Sequence, residues 1–126
     1  MKILLLLIAF FPSLVWVQPD LDGINRAIRS GNADALGAFF APTVEVAILD
    51  VEDRYAKADA IRVMKDFFAK NRPSNFSQVH QGESKGGNMH YAIGELQSGP
   101  GSYRVYLLLQ ESGNTYTIQQ LRIDSE

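Results

Sequence analysis

The sequence predicts an α+β fold in which three helices pack on one face of a curved, mostly antiparallel sheet. Three helical patterns, with one alternating strand pattern among them, precede residue 72. Four strand-like runs separated by short turns then fill residues 76–123. The chain has 126 residues, 46% of them hydrophobic, which suits one globular domain over residues 20–126.

Two short helices, at residues 20–31 and 32–42, open the predicted domain. Each begins with residues that cap helices well, an acidic residue in the first and Asn32 in the second. Gly31 and Pro42 end them. Their apolar stripes consist of Leu21, Ile24 and Ile28, and of Leu36, Phe39 and Phe40.

A strand and the clearest helix of the chain follow. Residues 43–49 alternate between apolar and polar side chains, which predicts a strand. A polar turn at 50–53 leads to a very short strand at Arg54 and Tyr55. Residues 57–71 are charged on one side and apolar on the other, as an amphipathic helix requires. The apolar side consists of Ile61, Met64, Phe67 and Phe68.

The second half of the chain predicts an antiparallel meander, because only short turns separate its strands. Its strands are placed at residues 76–83, 89–97, 103–111 and 115–123. In the third, Leu107 points to one side while Tyr106 and Leu108 point to the other. A strand that is apolar on both sides is covered on both faces. Since the helices cover only one face, the sequence predicts a homodimer through the other.

The N-terminal residues predict export. Lys2 precedes an apolar stretch at residues 3–17 that Pro12 interrupts, too short for a membrane-spanning helix of about 20 residues. We interpret residues 1–18 as a signal peptide with an uncertain cleavage point. We therefore expect the protein to contact the membrane only through this segment. An uncleaved anchor is the alternative, since no small-residue cleavage site precedes Asp20.

Composition argues against several functions. The net charge of -2 gives no electrostatic reason to bind nucleic acid. The absence of cysteine excludes disulfides and a lipid anchor on cysteine, and two distant histidines predict no zinc site. No phosphate-binding loop, calcium loop or activated nucleophile is present, so we expect no cofactor and no metal.

Several short motifs resemble a known superfamily. Ser-Gly-Asn-Ala at 30–33 and Val-Glu-Val at 44–46 resemble the opening of nuclear transport factor two-like domains. More narrowly, the sequence is similar to a family of small exported bacterial proteins that is a domain of unknown function. The motifs are Tyr-Ala-Lys-Ala at 55–58, Asp-Phe-Phe at 66–68, His-Gln-Gly at 80–82, Tyr-Ala-Ile-Gly at 91–94, Tyr-Arg-Val-Tyr at 103–106 and Ile-Gln-Gln-Leu-Arg-Ile at 118–123.

The resemblance implies a cone of three helices in a strongly bent sheet, often with a pocket at its open end. Relatives include isomerases, dehydratases, epoxide hydrolases and many binding proteins and dimers, so the fold does not decide the function. Where the family usually has a serine that caps the long helix, this chain has Ala56.

His80 is the strongest site candidate in the sequence. Gly82, beyond it on the same strand face, leaves room for a close approach to the backbone. His80 could line a pocket, or it could be a half-buried residue bonded to a neighbouring strand. His90 follows a Gly-Gly turn and is expected to be exposed. Of the carboxylates, only Glu45 and Glu95 lie well inside predicted strands.

The remaining candidates for a ligand pocket are polar-tipped residues of the sheet, which could also be ordinary sheet surface. They are Tyr55, Tyr91, Arg104, Tyr106 and Gln120. Because no carboxylate can be placed beside His80, the sequence favours an exported, non-catalytic small-molecule-binding or assembly domain. The alternative is an isomerase- or hydratase-type enzyme that uses His80 in the cone pocket.

Overall fold

Three helices and six strands form the fold in the computed structural model, which describes residues 21–83, 88–99, 101–113 and 115–126. The helices are α1 (Asp22–Ser30), α2 (Ala33–Gly37) and α3 (Lys57–Lys70). The strands are β1 (Phe40–Ile48), β2 (Val51–Ala56), β3 (Pro73–Glu83), β4 (Met89–Ser98), β5 (Gly101–Ser112) and β6 (Thr115–Ser125). The predicted α+β class is confirmed. The predicted signal peptide, residues 1–18, lies outside the described residues.

The strands form one sheet in the order β2-β1-β6-β5-β4-β3. The predicted meander is confirmed, because β3, β4, β5 and β6 pair in succession and antiparallel. β1 pairs with β6 in parallel, and this pair joins the first half of the chain to the meander. The sheet is therefore mostly antiparallel, as predicted.

The caps of the first two helices follow the sequence only in part. Leu21 precedes α1 and forms no side-chain cap. Asp22 lies in the first turn, where its negative charge interacts favourably with the positive end of the helix dipole. Gly31 ends α1 in the left-handed conformation, with φ of 66°. Asn32 caps α2 as predicted, since its side chain accepts a hydrogen bond from the Ala35 N–H at 3.0 Å.

The second helix is shorter than the sequence predicts. It ends at Gly37, and Phe40 already belongs to β1, where it pairs with Ile118 of β6. The Ile118 N–H donates to the Phe39 carbonyl at 2.7 Å. Pairing with β6 therefore draws residues 40–42 into the sheet, against their local helical pattern.

The helices cover one face of the sheet, which we call the helix-facing side. Leu107 and its neighbours Val105 and Leu109 are buried there, against core residues that include Phe67 and Phe68 of α3. Tyr106 and Leu108 point to the opposite side, the outer face, and are only partly buried. No helix in the described ranges is long and apolar enough to cross a membrane.

Candidate functional site

Five of the six predicted pocket residues lie on the outer face. His80 is exposed, and its Nε2 lies 3.1 Å from the Tyr91 hydroxyl. The Tyr91 ring stacks on Tyr106 with ring centroids 6.5 Å apart. The close approach expected at Gly82 is made by Tyr91, whose ring occupies the space that a Cβ on Gly82 would fill. His80 therefore belongs to an aromatic row on the outer surface and lines no pocket beneath the helices.

The other predicted residues do not join that row. Arg104 lies on the outer face and forms an ion pair with Glu126 at 3.3 Å. Gln120 lines a groove of about 320 Å³ on the same face, beside Leu108 and Glu45. Tyr55 lies on the helix-facing side and packs against the core. The six residues thus do not form one site.

Two polar residues are buried in the described part of the chain: Ser98, and a histidine that the sequence predicts to be exposed. His90 is only 3% exposed, so the expectation that it is exposed is wrong. The reason is strand register: His90 lies on the same side of β4 as the buried Ala92 and Leu96. Its place beside a turn does not expose it.

Two carboxylates and a tyrosine surround His90, and we call these four residues the His90 cluster. Nε2 of His90 lies 2.9 Å from Oε2 of Glu111, and Nδ1 lies 4.0 Å from Oε1 of Glu83. The Tyr116 ring meets the imidazole edge to face, with centroids 5.3 Å apart. Neither Glu45 nor Glu95 takes part in it.

Strand pairing assembles the cluster. Glu83 is the cross-strand partner of His90, and Glu111 is that of Tyr116. The Glu111 N–H also donates to the Asn88 carbonyl at 2.8 Å, which fixes the end of β5 beside the start of β4. The four side chains therefore come from neighbouring ends of β3, β4, β5 and β6.

Further polar residues extend from the cluster along β3. Gln78 donates to Gln81 at 2.8 Å and accepts from Asn25 of α1 at 3.1 Å. Arg29, nearer the other end of α1, donates to the Phe76 carbonyl. Hence α1 runs antiparallel to β3, and its N-terminal end is directed toward Glu83.

The carboxylates make the surroundings of Tyr116 negative. Partial burial raises the pKa of Tyr116 above its ordinary value of 10.0, and the charges of Glu111 and then Glu83 raise it further. The hydroxyl is therefore protonated at neutral pH and can donate a hydrogen bond.

The hydrogen bond to Glu111 assigns the roles of the two imidazole nitrogens. An ionised carboxylate only accepts, so Nε2–H donates to Glu111, and in the neutral imidazole Nδ1 is then an acceptor. Among the buried side-chain atoms of the described residues, His90 Nδ1 lacks a hydrogen-bond partner. A buried polar atom without a partner costs about 1–3 kcal/mol, so Nδ1 is the atom that a ligand would satisfy.

No group of three or more His, Cys, Asp or Glu side chains in the described ranges is arranged to hold a metal ion. The side chains of the cluster can donate and accept hydrogen bonds. A carboxylate that orients a histidine leaves the second ring nitrogen available as an acceptor or a base.

The sequence does contain a signal for this cluster. Glu111 continues the alternation of Val105, Leu107 and Leu109, and His90 stands in step with Ala92. Extending both alternations to the strand ends would have placed Glu111 and His90 on the helix-facing side.

Comparison with known proteins places the fold in a family. The family model of DUF4783, a domain of unknown function, matches residues 21–124. The chain belongs to the DUF4783 family. The suspected relation to a family of unknown function is thereby confirmed. No curated protein matches the chain.

Solved structures agree with this placement. A DUF4783 protein from Bacteroides ovatus is 30% identical, with a TM-score of 0.77, over 82% of this chain and 93% of that one. One from Bacteroides uniformis is 28% identical, also at 0.77, over 83% and 95%. An NTF2-like protein of unknown function from Shewanella baltica is 11% identical, with a TM-score of 0.65, over 84% and 87%. This last similarity shows the fold alone, which is nuclear transport factor two-like.

Proposed function

We propose that this DUF4783 protein is an exported, non-catalytic domain of the bacterial cell envelope that binds a small polar molecule against His90. The observation that carries the proposal is the buried Nδ1 atom without a hydrogen-bond partner. The large majority of buried polar side-chain atoms are hydrogen-bonded, and an exception calls for an explanation, such as a catalytic role or a bound partner. The hydrogen bond to Glu111 fixes the orientation of the imidazole and leaves Nδ1 as the acceptor for such a ligand.

A thermal-shift screen of small polar molecules tests the proposal, with His90→Phe as the site variant and His80→Gln as the control. A ligand at 100 times its Kd should add about 2.7 kcal/mol to the free energy of unfolding. We expect a hit to stabilise the parent and His80→Gln equally, and to leave His90→Phe unchanged. Hits that stabilise His90→Phe as strongly as the parent would place the binding elsewhere and refute the proposal.

A second candidate function is acid–base catalysis of the isomerase or hydratase kind, with His90 as the base in place of His80. The hydrogen bond between His90 and Glu111 favours it, because an oriented imidazole is a common general base. The fate of a screening hit separates the two functions. NMR would show whether the protein converts the hit into a product. A conversion that the parent performs and His90→Phe does not would replace the binding proposal with the enzymatic one.

Export belongs to the same proposal and is supported by the apolar stretch at residues 3–17. Fusing residues 1–25 to a reporter that is active only outside the cytoplasm should give a signal. The same fusion with residues 4–8 replaced by polar residues serves as the control and should be silent. A silent parental fusion would remove the envelope role, and the mass of the exported protein distinguishes a signal peptide from an anchor.

We further propose that two copies pair through the outer face. Tyr91, Tyr106 and Leu108 leave partly exposed apolar area there, which no described helix covers. Charges of both signs lie around this area, including the ion pair between Arg122 and Glu52 at 3.7 Å. If a twofold axis relates two copies, opposite charges on the two outer faces can lie against each other.

A further inference from the structure

We propose that the ligand held against His90 is a small organic cation that donates N–H groups, such as a primary ammonium or a guanidinium ion. This inference rests on the proposed function and adds the charge and the hydrogen-bonding character of the ligand. It follows from the positions of two acceptors and from the charge around them.

Nδ1 of His90 and Oε1 of Glu83 are both acceptors and lie 4.0 Å apart. They are too far apart for a direct hydrogen bond, and with Nε2–H donated to Glu111 they share no proton. If one ligand nitrogen donates a hydrogen bond of about 2.9 Å to each acceptor, the angle between the two bonds at that nitrogen is about 90°. An ammonium group, or two N–H groups of a guanidinium, meets that requirement with little distortion.

The local charge selects the same class of ligand. Glu83 and Glu111 bring two carboxylates to the cluster, and no Lys or Arg in the described part of the chain forms an ion pair with either. Both carboxylates would repel an anionic ligand at Nδ1, whereas both would attract a cation. After burial, which has the larger effect, the charges of Glu111 and Glu83 also raise the pKa of Tyr116.

Glu83 is an exposed neighbour of the buried Nδ1. Nδ1 has no contact with solvent, whereas the Glu83 side chain is 65% exposed. An exposed carboxylate can change rotamer at little cost. A ligand can therefore reach Nδ1 while the Glu83 side chain is turned aside, and the side chain then returns to the position in which Oε1 is the second acceptor, 4.0 Å from Nδ1.

Long-range proton–nitrogen NMR spectra of the two imidazoles test the inference on the whole protein at pH 7 and constant ionic strength. The probes are propylammonium, propylguanidinium, tetramethylammonium, propionate and 1-propanol. We expect the first two to shift the ring nitrogens of His90 and to leave those of His80 in place. Tetramethylammonium carries the charge without N–H donors and should have no effect.

Two variants test the second acceptor. Glu83→Gln should weaken propylammonium binding at least about tenfold, because it replaces the charged acceptor with a neutral one and so weakens the hydrogen bond. Glu95→Gln makes the same change in net charge on the outer face and should bind like the parent. Equal binding by Glu83→Gln and the parent would overturn the assignment of Glu83.

The remaining outcomes separate this inference from the proposed function. If propionate or propanol shifts the ring nitrogens of His90 and the N–H cations do not, the proposed binding site stands and the inference that its ligand is a cation is refuted. No shift with any probe would count against both. Nitrogen frequencies that show a doubly protonated His90 in the free protein would also overturn the inference, since Nδ1–H could then donate to Glu83.

Discussion

Replacing Leu108 with Glu should turn a dimeric protein into a folded monomer. Leu108 lies on the outer face, where the proposed pairing would bury it. An unpaired buried charge costs at least about 3 kcal/mol, which weakens a dimer more than about a hundredfold. Analytical ultracentrifugation gives the mass, and circular dichroism shows whether the fold persists.

The neighbouring residue provides a matched control for this experiment. Leu107 is 1% exposed on the helix-facing side, so Leu107→Glu should unfold the domain rather than separate two copies. Replacing adjacent leucines should thus give opposite kinds of defect. A parent protein that is already monomeric, or a dimer that survives Leu108→Glu, would refute pairing through the outer face.

Replacing Glu111 with Ala should lower the free energy of unfolding by about 2 kcal/mol. The change leaves the buried Nε2–H of His90 without its acceptor at 2.9 Å. Glu111→Gln, which keeps an acceptor oxygen, should lose less. Denaturant unfolding measured by circular dichroism gives these values.

A double-mutant cycle separates the pair from its surroundings. If the hydrogen bond accounts for the loss, Glu111→Ala should cost little once His90→Phe has removed the donor, which gives a coupling of about 1.5 kcal/mol. If Glu111→Ala lowers the free energy of unfolding equally in the parent and in His90→Phe, Glu111 acts independently of His90. The His90 cluster would then not be an interacting unit.

The fold could largely be predicted from the sequence because its helices and strands carry clear periodicities. The alternation in β5 placed Leu107 and Leu108 on opposite sides of the sheet, and in the structure Leu107 is buried on the helix-facing side while Leu108 lies on the outer face. The error at Phe40 arose where a pairing with β6, distant in sequence, overrode a local helical spacing. Periodicity within a segment carries no information about such a partner.

The candidate site was predicted less well, for a related physical reason. A turn residue nearby suggested that His90 is exposed, although its register on β4 buries it. The partners Glu83 and Glu111 belong to other strands, and only the pairing of those strands shows that they meet. His80 looked stronger because Gly82 leaves space beside it, but the Tyr91 ring fills that space on the outer face.

The central claim is that a ligand binds on the helix-facing side of the sheet, in contact with the His90 cluster. Intermolecular nuclear Overhauser effects between a screening hit and the protein test this claim most directly. We expect effects from the hit to the ring protons of His90 and Tyr116. Effects to the rings of His80, Tyr91 or Tyr106 instead would place the ligand on the outer face and contradict the account.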